Sequence, residues 1–468
     1  MSLTKVYTKM IADTAISVQS YGAKGDGVTD DSAAINAAIA DLGYGYLSMP
    51  EVSYYVESPI IVGRNQVLFG DGNGFQADES GANPTILSKR GAPAVWVQGS
   101  YSEVRDLSIR VNKTNLTDFT DDQDICILIR DVDAFSPTPP ANWNWVNGVL
   151  VQNVGLARGF MGVQMEAVYR ISLNQINTWT CKFGVAYNYD QRQIYGPSGA
   201  IPKYATTLTF TDIYCRGGYP TPIPGGYGFW GDQTFGLNLT NVIAEGFDTC
   251  AYFFNTHGGT LTNLYAERNN AGVQLIGNLS PFVVQSPYVF YNTGESQYAF
   301  RGQFGTTVFI GGEAALPGGP SVYFSPVDAT GNCTFVTHPA LTGGSFTPNL
   351  AVGYFDGGIY DDNSLVINDT LNFANSIGGF TSGVAKAITP IASAAVGGGG
   401  FIVVTGYSLT GNYKALLTYM PGSIEVVSEV NNTGSTVAYT SVGNILYITS
   451  TGTSNQIFDQ IQVKGMIN

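Results

Sequence analysis

"LTNVIAEGFDTCAYFFN", residues 239–255, is answered by "LTNLYAERNNAGVQLIG", residues 261–277. Both open on the order apolar, any, Asn, apolar, and they begin 22 residues apart. The same order, with Asn, Asp or Gln third, stands at Val104-Arg105-Asp106-Leu107, Val151-Gln152-Asn153-Val154, Leu173-Asn174-Gln175-Ile176 and Phe210-Thr211-Asp212-Ile213. The last apolar positions (107, 154, 176, 213, 242 and 264) are separated by 47, 22, 37, 29 and 22 residues. A 22-residue unit with additions in some turns indicates a solenoid, and the first interval reads as two coils. Flanking apolar residues alternate, as at Leu237 and Leu239 or Val242 and Ala244, so the segments are strands. The polar residue belongs at a bend, where Asn and Asp tolerate unusual backbone angles. The pattern predicts an all-β chain: a right-handed parallel β-helix whose coils bury an apolar interior and stack Asp212, Asn241 and Asn263 in consecutive turns.

A solenoid exposes an apolar end and needs a cap. In "ISVQSYGAKGDGVTDDSAAINAAI", residues 16–39, Asp30 or Asp31 can start a helix, Ile35, Ile39 and Leu42 share one face, and Gly43 stops it. No GK[ST] follows the glycines, and the EF-hand ligand order is absent, so the stretch is neither a phosphate loop nor that calcium loop. The run Gly22-Ala23-Lys24-Gly25-Asp26-Gly27-Val28-Thr29-Asp30-Asp31 resembles the N-terminal signature of the pectate-lyase-like β-helix family, common in bacteriophage tailspikes and related capsular polysaccharide depolymerases. The motif covers about 25 residues, and the repeats extend the resemblance over roughly 16–375.

In that family the motif is structural. The resemblance implies a homotrimeric phage tail protein, made in the host cytoplasm and carried in the virion. It would bind and cleave a bacterial capsule or O-antigen and attach to the phage tail or an adaptor protein. Only about 15 residues precede the β-helix, so either a particle-binding domain has been removed or attachment runs through another protein. The expected organisation is an arm (1–15), a cap strand and helix (16–45), a β-helix (46–375) and a small C-terminal β-sandwich (380–468). Strand signals at 401–407, 414–420, 423–430, 444–451 and 456–464 follow the glycine run 397–400. By resemblance, the sandwich serves trimerisation or carbohydrate binding.

Composition narrows the function. The 468 residues are 44% hydrophobic and only 12% charged, with 58 Gly and 28 Tyr, which suits β-structure rich in turns. A formal net charge of −14 argues against nucleic acid and anionic membranes as partners. The five scattered cysteines read as buried thiols in a chain folded under reducing conditions, not as disulfides or a zinc site. With only His257 and His338 present, no metal centre and no cofactor is expected. No G-x-S-x-G elbow supports a serine esterase. The N-terminus lacks a signal-peptide core, and no apolar run approaches a membrane span.

The adjacent coils place Glu245 and Glu267 at the same outward position, with Arg216 there in the coil before. Carboxylates on neighbouring strands hinder each other's ionisation, which supplies the acid and base of glycoside hydrolysis; Asp248 is a third acid within reach. A salt-bridged ladder at a trimer interface, with Arg216 and Arg268 neutralising the acids, and plain solvated surface remain open. Two enlarged turns, 188–199 and 216–233, carry Tyr189, Asp190, Arg192 and Tyr195, and Tyr219, Tyr227, Phe229, Trp230 and Asp232. Flat aromatic faces beside acids suit sugar rings, and Tyr252 and His257 join them as substrate contacts. Trp143 and Trp145 are ambiguous in the same way. The alternatives to hydrolysis are a lyase performing β-elimination with Arg216, Arg268, His257 or Tyr265, and a spike that only grips glycan.

Overall fold

The computed structural model describes residues 15–302 apart from 51, 71–84, 137–144, 191–193, 197–198, 202–203, 278–279 and 291–297, and from 303 onward chiefly the strands. The repeated tetrads form one parallel column. Val104, Val151, Leu173, Phe210, Leu239 and Leu261 are successive register partners, as are Leu107, Val154, Ile176, Ile213, Val242 and Leu264. All twelve are buried inside the coils. Each such side chain contributes about 1.5–3 kcal/mol on leaving water, so stacking of the apolar column dominates the stability of the helix.

Every polar tetrad residue sits at a left-handed corner: Asp106 (φ 54°), Asn153 (50°), Gln175 (53°), Asp212 (54°), Asn241 (53°) and Asn263 (53°). That conformation costs a non-glycine residue roughly 1–2 kcal/mol, least for Asn and Asp. Ladder hydrogen bonds offset it: Asn153 Nδ2 donates to Asp106 Oδ1 (2.8 Å), Asn241 Nδ2 to Asp212 Oδ1 (3.1 Å) and Asn263 Nδ2 to Asn241 Oδ1 (3.0 Å). The 47-residue interval is one enlarged coil, not two, because the tetrads at 104 and 151 pair directly. The intervening strand Ile125–Ile129 pairs instead with Val95–Val97 and Met161–Met165, on another side of the coil. An insertion about one repeat long imitates an extra coil in the sequence.

The opening motif builds the cap. Helix α1 (Ser32–Leu42) buries Ile35, Ala38, Ile39 and Leu42. Asp31 is the residue before it, yet its carboxylate turns back to accept from the backbone N–H groups of Lys24 (2.6 Å) and Gly25 (3.0 Å). Asp30 takes the capping role, accepting from Ser32 N (3.0 Å) and from Glu57 N (3.1 Å). Asp26 accepts from Thr29 N, Thr29 Oγ1 and Val28 N, and those bonds hold its carboxyl down at about 2. Gln66 closes the other end, donating to Ile39 O and Gly43 O (both 3.1 Å). The acids of the motif are engaged by donors of the chain itself, so the motif is architecture.

A second compact unit comprises residues 304–311, 326–339 and 347–468. In it Thr370–Gly378 runs antiparallel to Gln460–Ile467, followed across the sheet by Gly400–Ser408, Gly411–Met420 and Ser423–Asn431. Lys386–Ile388, Ile445–Thr451 and Thr436–Val442 form a separate antiparallel sheet. Antiparallel pairing thus begins before the expected boundary at 380. Alternating residues look alike in parallel and antiparallel strands, which hid the change.

Candidate active site

Two constellations arise on the coils. In the first, Trp179, Arg216, Glu245, Glu267 and Phe290 are successive register partners along one line. Ala244 and Ala266 beside the glutamates point inward, so Glu245 and Glu267 do stand side by side as the repeat requires. Arg268 lies between them, its Nη2 2.9 Å from Glu245 Oε1 and its Nε 3.0 Å from Glu267 Oε1. The other oxygens accept from tyrosines: Tyr214 donates to Glu245 Oε2 (2.7 Å) and Tyr265 to Glu267 Oε2 (2.9 Å). Every oxygen of the pair therefore has a donor, as in an ion-pair ladder. The expected bare repulsion between the acids is absent because a guanidinium separates them.

Arg216 does not share this neutralising role. Its guanidinium lies over Trp179 (5.2 Å) and Tyr219 (5.8 Å), while Arg268 covers the same Tyr219 ring at 4.9 Å. Burial, followed by the bond to Glu267, pushes the Tyr265 hydroxyl up to about 12, and Tyr214 rises to about 12 in the same way against Glu245. His257 stacks on Phe235 (4.8 Å, 14°), a register partner in another segment of the coil. Asp248 pins a loop, accepting from Gly225 N (3.2 Å) and Asn270 Nδ2 (3.1 Å).

The second constellation is a cavity of about 660 Å³ lined by Asp122, Gln123, Met161, Gln164, Tyr189, Asp190 and Trp230. Its floor is the outer face of successive coils, where Leu128, Gln164, Ala186, Trp230 and Tyr252 follow one another in register. The enlarged turns supply the walls. Tyr189 packs edge-on to Trp230 (5.1 Å), Trp230 stacks with Tyr252 (6.1 Å, 17°), and Phe183 stacks with Tyr227 (5.3 Å, 13°). Burial, then the neighbouring Asp122 charge, raises the Tyr189 hydroxyl, so it stays a donor at neutral pH.

Beneath the cavity Glu166 is fully buried, and its Oε1 accepts from Gln164 Nε2 (2.8 Å) and from Asp190 N (2.9 Å). The first bond fixes a lining amide; the second fixes the backbone that carries Asp190. Arg130 approaches Asp190 Oδ2 at 3.9 Å while lying over Trp96 (5.2 Å) and Phe135 (4.8 Å).

Of the residues singled out in the sequence, the cavity thus gathers Trp230, Tyr189 and Asp190, with Tyr252 beside them. Asp232 is half-buried, and its backbone carbonyl accepts from Asn188 Nδ2 (2.8 Å). Trp145 packs against Tyr169 and Tyr204. Trp143 lies outside the described residues, as do the side chains of Arg192, Tyr195 and His338. Asp122, Gln123, Met161 and Gln164 escaped the sequence reading. The acidic run Asp121-Asp122 was the one available signal, and nothing in it marks a neighbour on the Tyr189 turn. Among the described residues no group of three His, Cys, Asp or Glu is arranged to hold a metal, and no helix is long and apolar enough to cross a membrane.

Comparison with known proteins agrees with the fold. Residues 15–156 match the family model described as rhamnogalacturonase A/epimerase, pectate lyase-like. An 83-residue segment is 43% identical to the non-secreted LysM effector LysM19 of Penicillium expansum; the match covers 15% of this chain and 6% of that protein's length. The DFA-IIIase of Arthrobacter chlorophenolicus A6, solved without its lid and in complex with GF2, superposes with a TM-score of 0.55 at 13% identity, over 74% of this chain and 95% of its own. The tailspike protein of Acinetobacter baumannii phage AM24 superposes with a TM-score of 0.50 at 10% identity, over 97% of this chain and 82% of its own. At such identities the structural likeness is one of fold.

Proposed function

We propose that the protein is a glycan-degrading enzyme acting by hydrolysis in the Trp230–Tyr189 cavity. The observation that carries this reading is the meeting of two carboxylates, Asp122 and Asp190, with two aromatic faces and two amides in one cavity. A sugar ring lays its apolar C–H face on Trp230, and Gln123 and Gln164 bond its hydroxyls. Asp190, held near Arg130, serves as the charged carboxylate that activates water or attacks the sugar; Asp122 delivers the proton to the departing oxygen. Glu245, Arg268 and Glu267 brace the neighbouring line of the coils.

The family-model match over residues 15–156 supports a polysaccharide substrate, and the resemblance of the opening motif to tailspikes directs the proposal to a bacterial surface polysaccharide, capsule or O-antigen. On the same resemblance, the proposal takes the protein to be a homotrimer in a phage tail. The test is incubation with a panel of purified capsules and O-antigens, with mass spectrometry of the products. Ordinary reducing ends are expected, without the ultraviolet absorbance of unsaturated uronates. Asp190→Asn and Asp122→Asn should each lower turnover by about 10²–10⁴-fold, while Glu267→Gln leaves it within a few-fold. Unsaturated products would establish a lyase. Binding without any product would establish a glycan-gripping spike. Loss of turnover in Glu245→Gln and Glu267→Gln alone would move the chemistry to that pair.

A further inference from the structure

The geometry points to a cavity that admits neutral and amino sugars and turns acidic sugars away. This rests on the cavity being the glycan site, and it adds a substrate class. Among the described lining residues the only charged groups are Asp122 and Asp190; Gln123, Met161, Gln164, Tyr189 and Trp230 are neutral. A uronate placed here meets the Asp190 charge at short range and no cation on the described lining, and Asp122 offers it no counter-charge in either protonation state.

Among the described residues, the neighbouring cations already have partners. Arg130 faces Asp190 and is held over Trp96 and Phe135. Lys182 Nζ lies over Phe160 at 5.1 Å. Arg90 bridges Asp118 and Asp124, with Nε 2.9 Å from Asp124 Oδ2. Lys113 Nζ covers Phe119 at 4.1 Å and donates to Asp118 O at 3.0 Å. Arg268 is shared by Glu245 and Glu267. The chain's net charge of −14 adds a long-range bias of the same sign. A protonated amino group, by contrast, finds two carboxylate acceptors, and a neutral hydroxylated ring finds the amides and the indole face.

The experiment uses the full chain and three monosaccharide probes (glucose, glucosamine and glucuronate) read by saturation-transfer NMR and by Trp fluorescence. Glucose and glucosamine should show ring-proton transfer that Trp230→Ala abolishes. Glucuronate should bind at least ~10-fold more weakly, with the deficit shrinking at high salt. The Asp122→Asn/Asp190→Asn double variant should narrow that gap while its circular dichroism matches the parent. Glucuronate binding as tightly as glucose, lost in Trp230→Ala, overturns the selectivity and leaves the cavity as the glycan site. Probes that bind unaffected by Trp230→Ala, or no binding by any of them, overturn the cavity as a sugar site, and both readings fall.

Discussion

Replacing Arg268 with methionine keeps the apolar stem and deletes the charge between Glu245 and Glu267. Neighbouring strands lie about 4.8 Å apart, and two carboxylates at that distance repel by about 3.5 kcal/mol at an effective dielectric of 20 and about 0.9 kcal/mol in water. The glutamate side chains are 11% and 19% exposed, between those limits, so the loss should be about 2 kcal/mol. Spread over a cooperative unit of roughly 300 residues, that lowers the melting temperature by about 3 °C.

The sign with pH follows from the charges. Both glutamates must be ionised for the penalty to exist, so the variant's folded state binds a proton more readily than its unfolded state. The deficit is full at pH 7 and shrinks as pH falls toward the ordinary glutamate range near about 4.3. Calorimetry of both proteins at pH 7 and pH 4.5, at one scan rate, reads it directly. The double change Arg268→Met/Glu267→Gln should recover most of the loss at pH 7. An equal shift at both pH values, or none, would refute the ladder as described.

Asn241→Ala should cost about 1–2 kcal/mol, through the left-handed corner and two ladder bonds, and Asn241→Gly less, since glycine accepts the φ of 53°; thermal melts rank them. Gly231→Ala drives a Cβ into the Tyr187 ring inside the coil, so the variant should be recovered mostly as aggregate in a solubility assay. Cys126, Cys181, Cys215 and Cys250 are buried, and burial raises Cys215 to about 12, so a thiol reagent at pH 8 should label none of these four until denaturant is added. Light scattering of the dilute protein should return the mass of three chains; a monomer mass would remove the trimer from the proposal.

The column of tetrads was legible because each coil repeats the same demand: an apolar residue inward, a small polar residue at the left-handed corner. Glu245 and Glu267 followed from that spacing alone. Their neutralisation was one of the open readings, and spacing alone could not choose it, because the repeat does not fix where a long guanidinium reaches; Arg268 reaches both acids and Arg216 neither. The cavity was only half visible. Tyr189 and Asp190 stand in a turn that is plainly enlarged and Trp230 on the floor strand beside it, but Gln164 belongs to an earlier coil of that floor and Asp122 to a separate excursion. No periodicity records which insertion folds over which face.

The corner that carries the Asp106–Asn153–Gln175–Asp212–Asn241–Asn263 ladder contains no insertion, whereas the long excursions flank the strands Ile125–Ile129, Phe183–Tyr187 and Ile223–Glu245. Lengthening a loop whose ends are already clamped adds little closure entropy, about 0.6 kcal/mol for each doubling. The spine and the recognition surface are therefore thermodynamically decoupled. On the proposed function, excursions such as residues 112–124 and 217–222 are places where a transplanted segment should change glycan preference while the scaffold beneath keeps its register.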